Sequence, residues 1–165
     1  ASRADRIDNK NMTYIHNTQG NKRKGDEAEE AFVRDFGHHI VRHSTEQEDI
    51  HEHWDFLVQA KDGVPRKVDV KSGNKRDGML RCEVTNRMGN KGWVLGDADY
   101  IAYLQEGYWL LVKRTELEEI ITTEGHLQLP GAWNEPYRFW EQPGTQAVMT
   151  FVPAADVKTN RFEIK

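Results

Sequence analysis

The stretch Lys67-Val68-Asp69-Val70-Lys71 carries the densest chemistry in this sequence. In an extended chain side chains alternate between two faces, so Asp69 and Lys71 share one face while Val68 and Val70 share the other. A carboxylate and an amine therefore stand side by side. Upstream, Trp54, Phe56 and Val58 alternate with Asp55, Leu57 and Gln59, which sets Asp55 on the face opposite Trp54 and Phe56. Lys61-Asp62-Gly63 forms a turn between these two segments, and a hairpin of this register can bring Asp55 beside Asp69. Two carboxylates that meet at one point repel unless a cation lies between them. Oxygen ligands of this kind suit Mg²⁺ or Mn²⁺ better than zinc.

Other elements must hold these groups in place. From Gly25 to Phe36 the apolar residues Ala28, Ala31, Phe32, Val33 and Phe36 fall at helical spacing, and Gly37 marks the stop. At 100° per residue Glu29 falls within the stripe of Phe32, Val33 and Phe36, where it either meets a metal under the helix or sits at the stripe's edge and reaches water. His39 to Arg42 reads as a short strand and Ser44 to Glu52 as a polar loop. Met79 to Thr85 reads as a third strand, Tyr100 to Leu104 and Tyr108 to Val112 as a second hairpin across Gln105-Glu106-Gly107, and Ala147 to Val152 as a late strand. Thr115 followed by Glu118 resembles a capping box that opens a helix through Ile121. The order predicts an α/β or α+β domain built on a central mixed sheet flanked by helices. Residues 1–24 read as a basic, Asn-rich arm and 25–165 as one domain, whose extension from about 122 to 165 is rich in aromatic residues. Trp133, Tyr137, Phe139 and Trp140 suit packing over the sheet better than stacking on bases.

The 165 residues supply one core, with 37% hydrophobic residues and five Trp to fill it. No apolar run approaches the roughly 20 residues that span a bilayer, and no signal-like segment follows the start, so the expectation is a cytoplasmic protein without membrane contact. One cysteine, Cys82, rules out an internal disulfide. The formal net charge of −4 hides an uneven distribution: Lys61 to Lys91 holds nine basic and four acidic residues. A basic stretch on an acidic chain attracts phosphates locally, although such runs are often only a solvated face. Lys75, Arg76, Arg81, Arg87 and Lys91 are its candidate phosphate contacts. His38, His39, His43, His51 and His53 match no structural zinc spacing; His53, close to Asp55, fits an accessory role.

Taken together, Asp55 and Asp69-Val70-Lys71 resemble the D…(D/E)xK signature of the PD-(D/E)XK nuclease superfamily, and Gly25 with Glu29 resembles its upstream GxxxE element. Lys24-Gly25-Asp26-Glu27-Ala28-Glu29 is similar to the start of archaeal Holliday-junction resolvases. Val68-Asp69-Val70-Lys71-Ser72, Arg81-Cys82-Glu83-Val84, Lys91-Gly92-Trp93 and Ala98-Asp99-Tyr100 resemble small nucleases of bacteriophages and mobile elements. The resemblance covers about residues 24 to 121, and Trp54 stands where the superfamily's name has proline. It implies a restriction-endonuclease-like core and a Mg²⁺- or Mn²⁺-dependent endonuclease that acts on DNA as a homodimer, either selective for junctions and branches or of the mobile-element type. Asp55, Asp69 and the Val70 carbonyl would hold the metal, Glu29 would complete its shell, and Lys71 would position or help deprotonate the attacking water. Glu83 would be a further ligand if its strand neighbours Asp69. The alternative is a non-catalytic nucleic-acid-binding module that keeps the fold.

Overall fold

The computed structural model describes residues 24–73, 78–127 and 135–165. The expected arm lies outside these residues, apart from Lys24, which is already helical. The architecture is α+β, as the sequence predicts, around a mixed six-stranded sheet.

Helix α1 covers residues 24–36 and gives way to a single 3-10 turn at Gly37–His39. Strand β1 (Ile40–His43) follows, then helix α2 (Glu46–Glu52), β2 (Phe56–Gln59) and β3 (Pro65–Ser72). The polar run expected as a loop thus contains a helix. Thr45 caps it: its hydroxyl accepts from Glu48 N at 3.2 Å, and Glu48 Oε1 accepts from Thr45 N at 2.8 Å. This reciprocal pair satisfies two helix-end donors that a polar segment would otherwise leave to water.

β4 (Met79–Thr85) leads through a 3-10 turn at Trp93–Leu95 to β5 (Tyr100–Leu104), and the hairpin to β6 (Tyr108–Lys113) forms as expected. Helix α3 (Arg114–Glu124) starts without a side-chain cap, so the capping box read at Thr115 does not form. Arg114 fixes this end instead, donating to Ala98 O at 2.8 Å and Val94 O at 3.0 Å and pairing with Glu118 at 2.6 Å. The chain ends with β7 (His126–Leu127), β8 (Arg138–Glu141), β9 (Val148–Pro153) and β10 (Thr159–Glu163).

The main sheet runs β1-β2-β3-β5-β6-β10, antiparallel except where β3 lies parallel to β5. A parallel pair needs a crossover. Here the crossover contains β4, which does not join the main sheet; it pairs with β9 in a second sheet, β4-β9-β8, to whose free side β7 adds. The C-terminal segment therefore belongs to the domain, with β9 holding β4 and β10 extending the main sheet beside β6.

Each face of the main sheet carries its own core. On one, Phe56, Val68, Val70, Ala102 and Trp109 pack under Ala28, Ala31 and Phe32 of α1. The Phe32 ring stacks 5.2 Å from Phe56 and meets Trp109 edge-on at 5.4 Å, an arrangement that adds to area burial. Truncating Phe32 to Ala would cost about 3–5 kcal/mol. Val33 is 41% exposed, so the buried stripe of α1 is centred on Ala28 and Phe32, not on Val33. On the other face Ile101, Tyr103, Leu110 and Val112 pack against Leu80, Cys82 and Val152 of the second sheet, and against Leu117 and Ile121 of α3. Trp54 joins this second core while Phe56 joins the first. The simple alternation read across Trp54 and Phe56 therefore breaks before β2 begins, next to His53, whose backbone is left-handed.

Of the expected aromatic cluster, Tyr137 and Phe139 pack against the second core and Trp140 stacks on Phe151, so these three serve packing. Trp133 lies outside the described residues. No helix among the described residues is long and apolar enough to cross a membrane.

Candidate active site

The antiparallel register of β2 and β3 ends with Phe56 opposite Val68, which leaves Asp55 and Asp69 just beyond the last pair, one on each chain segment. Asp55 N donates to Val68 O at 2.9 Å, one residue out of that register, and the Val70 N–H goes to the Asp55 carboxylate, Oδ2, at 2.7 Å. The side chain of Asp55 thus takes a ladder donor at the point where β2 has given out. A strand residue's N–H and C=O point to the same side, so the Val70 carbonyl points towards this corner too.

Asp69 lies on the face of β3 turned to the second sheet, with 3% of its surface exposed. Its carboxyl comes within hydrogen-bonding reach of Asp55. Lys71, on the same face two residues on, holds Nζ 3.2 Å from Asp69 Oδ2. The contact is an ion pair, and Asp69 Oδ2 is otherwise buried without a hydrogen-bond partner. Burial first, then repulsion from Asp55, pushes the Asp69 carboxyl well above the usual carboxylate range, against the pull of Lys71.

Burial works to discharge Lys71, but Asp69 and Asp55, with a weaker contribution from Glu83, overcome it and raise the amine above its ordinary value. The carboxyls around Lys71 thus favour its charged form. Its ammonium also lies 4.9 Å from the centroid of the Trp93 ring. The Trp93 turn is locked onto β4. Gly92 N donates to Val84 O at 2.8 Å, and a Cβ on Gly92 would stand 2.3 Å from the Glu83 carbonyl, an approach only glycine permits.

Glu83 was expected to reach the site if its strand neighboured Asp69. The strand does not: β3 is flanked by β2 and β5. Glu83 comes from the opposite sheet, accepts the Trp93 backbone N–H and faces Lys71 and His53; burial raises its carboxyl despite all three.

Glu29, half-buried on α1, meets the site from the other side. Its carboxyl is pushed up to about 7, first by burial and then by Asp55, Asp49 and Asp26. Asp49 is a site residue that sequence reading missed. It lies on α2 with its side chain still open to solvent; partial desolvation by its surroundings and then Asp55 raise its carboxyl, while Lys71 and His53 lower it. The signal that reveals it is Thr45-x-x-Glu48, the capping box that turns this segment into a helix. His53 ends that helix at φ 59° and ψ 58°, its N–H shared between Glu48 O and Asp49 O at 3.1 and 3.2 Å. Left-handed backbone is uncommon outside glycine, and here the chain uses it to swing Trp54 into one core and Asp55 towards β3.

Oxygen donors fit a hard divalent ion: two carboxyls that converge on each other, one of them with an orphaned buried oxygen, call for a shared proton or a cation. No three His, Cys, Asp or Glu side chains among the described residues close into a metal-gripping group. The converging pair is Asp55 and Asp69, with Glu29 and Asp49 coupled to it through charge. Among the candidate phosphate contacts, Lys75 and Arg76 lie outside the described residues. Arg81 is exposed on β4, and Arg87 and Lys91 are exposed on the turn that follows it. In comparisons with known proteins, no family model, curated protein or solved structure matches this chain.

Proposed function

We propose that the chain is a Mg²⁺- or Mn²⁺-dependent endonuclease of the PD-(D/E)XK kind, hydrolysing phosphodiester bonds in DNA. The observation that carries this reading is the corner of β2 and β3: Asp55 bonded to the Val70 N–H, facing a buried Asp69 whose Oδ2 lacks a hydrogen-bond partner, with the charged Lys71 at its side. Asp55 and Asp69, with the Val70 carbonyl, would hold the ion, and Glu29 would complete the donor set. When bound, the ion supplies Lewis-acid polarisation of a phosphate oxygen and acidifies a water. Lys71 donates hydrogen bonds to the attacking water or to the phosphate and offsets the charge that gathers there in the transition state, a task that suits a protonated amine. Trp93 and Glu83 keep that amine in place. His53 stands within electrostatic reach of Asp49 and Glu83 as an accessory polar group. Action as a homodimer on two strands of a junction or branch belongs to the same proposal.

The test is divalent-ion-dependent cleavage of labelled linear, nicked, branched and single-stranded DNA by the wild type, Asp69→Ala and Lys71→Ala. The expected result is cleavage by the wild type and a loss of at least ~100-fold in each variant, in line with removal of a group that acts on the transition state. A wild type that binds DNA and cuts none of these substrates would make the chain a nucleic-acid-binding module. Activity that survives both substitutions would place the chemistry elsewhere.

A further inference from the structure

Met88 is 77% exposed, the most open of the large hydrophobic side chains among the described residues. It stands at the tip of the turn that leaves β4, between Arg87 and Lys91, both exposed, with no acidic residue from Asn86 to Lys91. The turn is built to be rigid. Asn86 N donates to Asn90 O at 2.8 Å and Gly89 N to Asn86 O at 3.0 Å, while Asn86 Oδ1 accepts from Met88 N at 3.0 Å and Asn90 N at 2.9 Å. Gln146 N ties Arg87 O from outside at 3.2 Å. Gly89 has φ +84°, and a Cβ there would meet Gln146 Oε1 at 2.3 Å. Five hydrogen bonds thus fix a tip whose apolar side chain does nothing for the core.

The roots of the turn are the site's own residues. Val84 O accepts from Gly92 N, Thr85 bridges Lys91, and the adjoining Glu83 and Trp93 both face Lys71. Five residues at up to roughly 3.5 Å each keep Met88 within about 18 Å of Glu83, or about five base-pair rises.

We propose that the turn of residues 86–91 is a wedge, in which Arg87 and Lys91 grip phosphates on either side and the Met88 side chain enters the base stack a few pairs from the cleavage site. A flexible thioether flanked by cations on a stiff turn has the chemistry for this: the cations hold the backbone, and the apolar tip replaces stacking lost at an opened step. Opening a step costs least where the pair is already mismatched or missing. The wedge therefore makes the protein favour DNA with a weakened step at that spacing. The inference rests on the reading of this chain as a protein that acts on DNA.

The test uses the full chain with Ca²⁺ in place of Mg²⁺ and duplexes that carry 2-aminopurine at successive positions. Wild type is expected to raise the fluorescence at one step, and a mismatch there to tighten its binding about tenfold. Met88→Ala is expected to lose both effects and Met88→Leu to keep them; truncating so exposed a side chain leaves the fold intact. Binding and fluorescence by Met88→Ala equal to wild type would overturn the wedge, and cleavage by both proteins with Mg²⁺ would then leave the nuclease reading standing. A wild type that binds none of these duplexes would overturn both. Loss of the fluorescence signal in Met88→Ala by a protein that never cuts would uphold the wedge and overturn the nuclease.

Discussion

Asp55, Asp69 and Lys71 meet at one corner, with Glu29, Asp49 and Glu83 linked to it through charge, and their balance is a matter of single residues. Glu29 shows how the balance enters stability. Its folded pKa, about 7, lies above the ordinary glutamate value of 4.5, so the folded state binds a proton more tightly than the unfolded chain. Stability linked to Glu29 is fully present below pH 4.5, falls as pH rises and is gone above about 7. Because Glu29 is only half-buried, solvent screening reduces the penalty to about 1 kcal/mol. In metal-free buffer Glu29→Gln is therefore expected to be more stable than wild type at pH 8 by about that amount and nearly equal to it at pH 4.5. Urea unfolding at the two pH values measures this, and an equal difference at both would remove Glu29 from the coupled group. Adding Mg²⁺ at pH 8 is expected to stabilise wild type more than the variant if the ion sits among these carboxyls.

At the scale of elements, the site depends on a helix of only seven residues. α2 buries no residue of its own and is too short to persist alone, so the Thr45–Glu48 capping box and the Arg42–Glu48 pair at 2.7 Å must hold it. Thr45→Ala is expected to cost about 1 kcal/mol and to loosen Asp49 and His53 relative to Asp55. Hydrogen exchange checks this: amides of residues 48–53 should lose protection while those of β5 keep theirs. The same helix shows where sequence reading stops. Val68, Asp69, Val70 and Lys71 were legible because strand alternation fixes faces, and the hairpin register follows from where its turn falls. α2 was hidden because it has no apolar stripe; only its cap announces it. The partner of β4 was also illegible, since a run such as Leu80-Arg81-Cys82 looks alike whichever sheet it joins. Pairing with β9, some seventy residues away, decides it. That long-range choice is what turns Glu83 from a neighbour of Asp69 on one sheet into a group facing Lys71 from another.

The molecule as a whole carries a net charge of −4, so any approach to a polyanion must be oriented. β4 and its turn would supply the orientation under the proposed function: Arg81, Arg87 and Lys91 are exposed on this strand and turn, which leads to Trp93 against Lys71. If these three each neutralise a phosphate, they release about 0.9 counterion apiece, and the slope of log K against log salt should carry about −2.7 from them. Replacing all three with Gln is expected to flatten the slope by nearly that amount and to weaken binding to every duplex alike, since phosphate contacts carry no sequence information. Replacing Lys61, Arg34 and Lys158, which are exposed elsewhere on the surface, makes the control with the same change in net charge. A salt titration of DNA binding for both triple variants separates the two cases. If the slopes fall equally, the attraction comes from overall charge and this strand and turn have no special part. A fall confined to the β4 variant means that an acidic protein meets DNA through one basic edge, which aims the backbone at Asp55, Asp69 and Lys71.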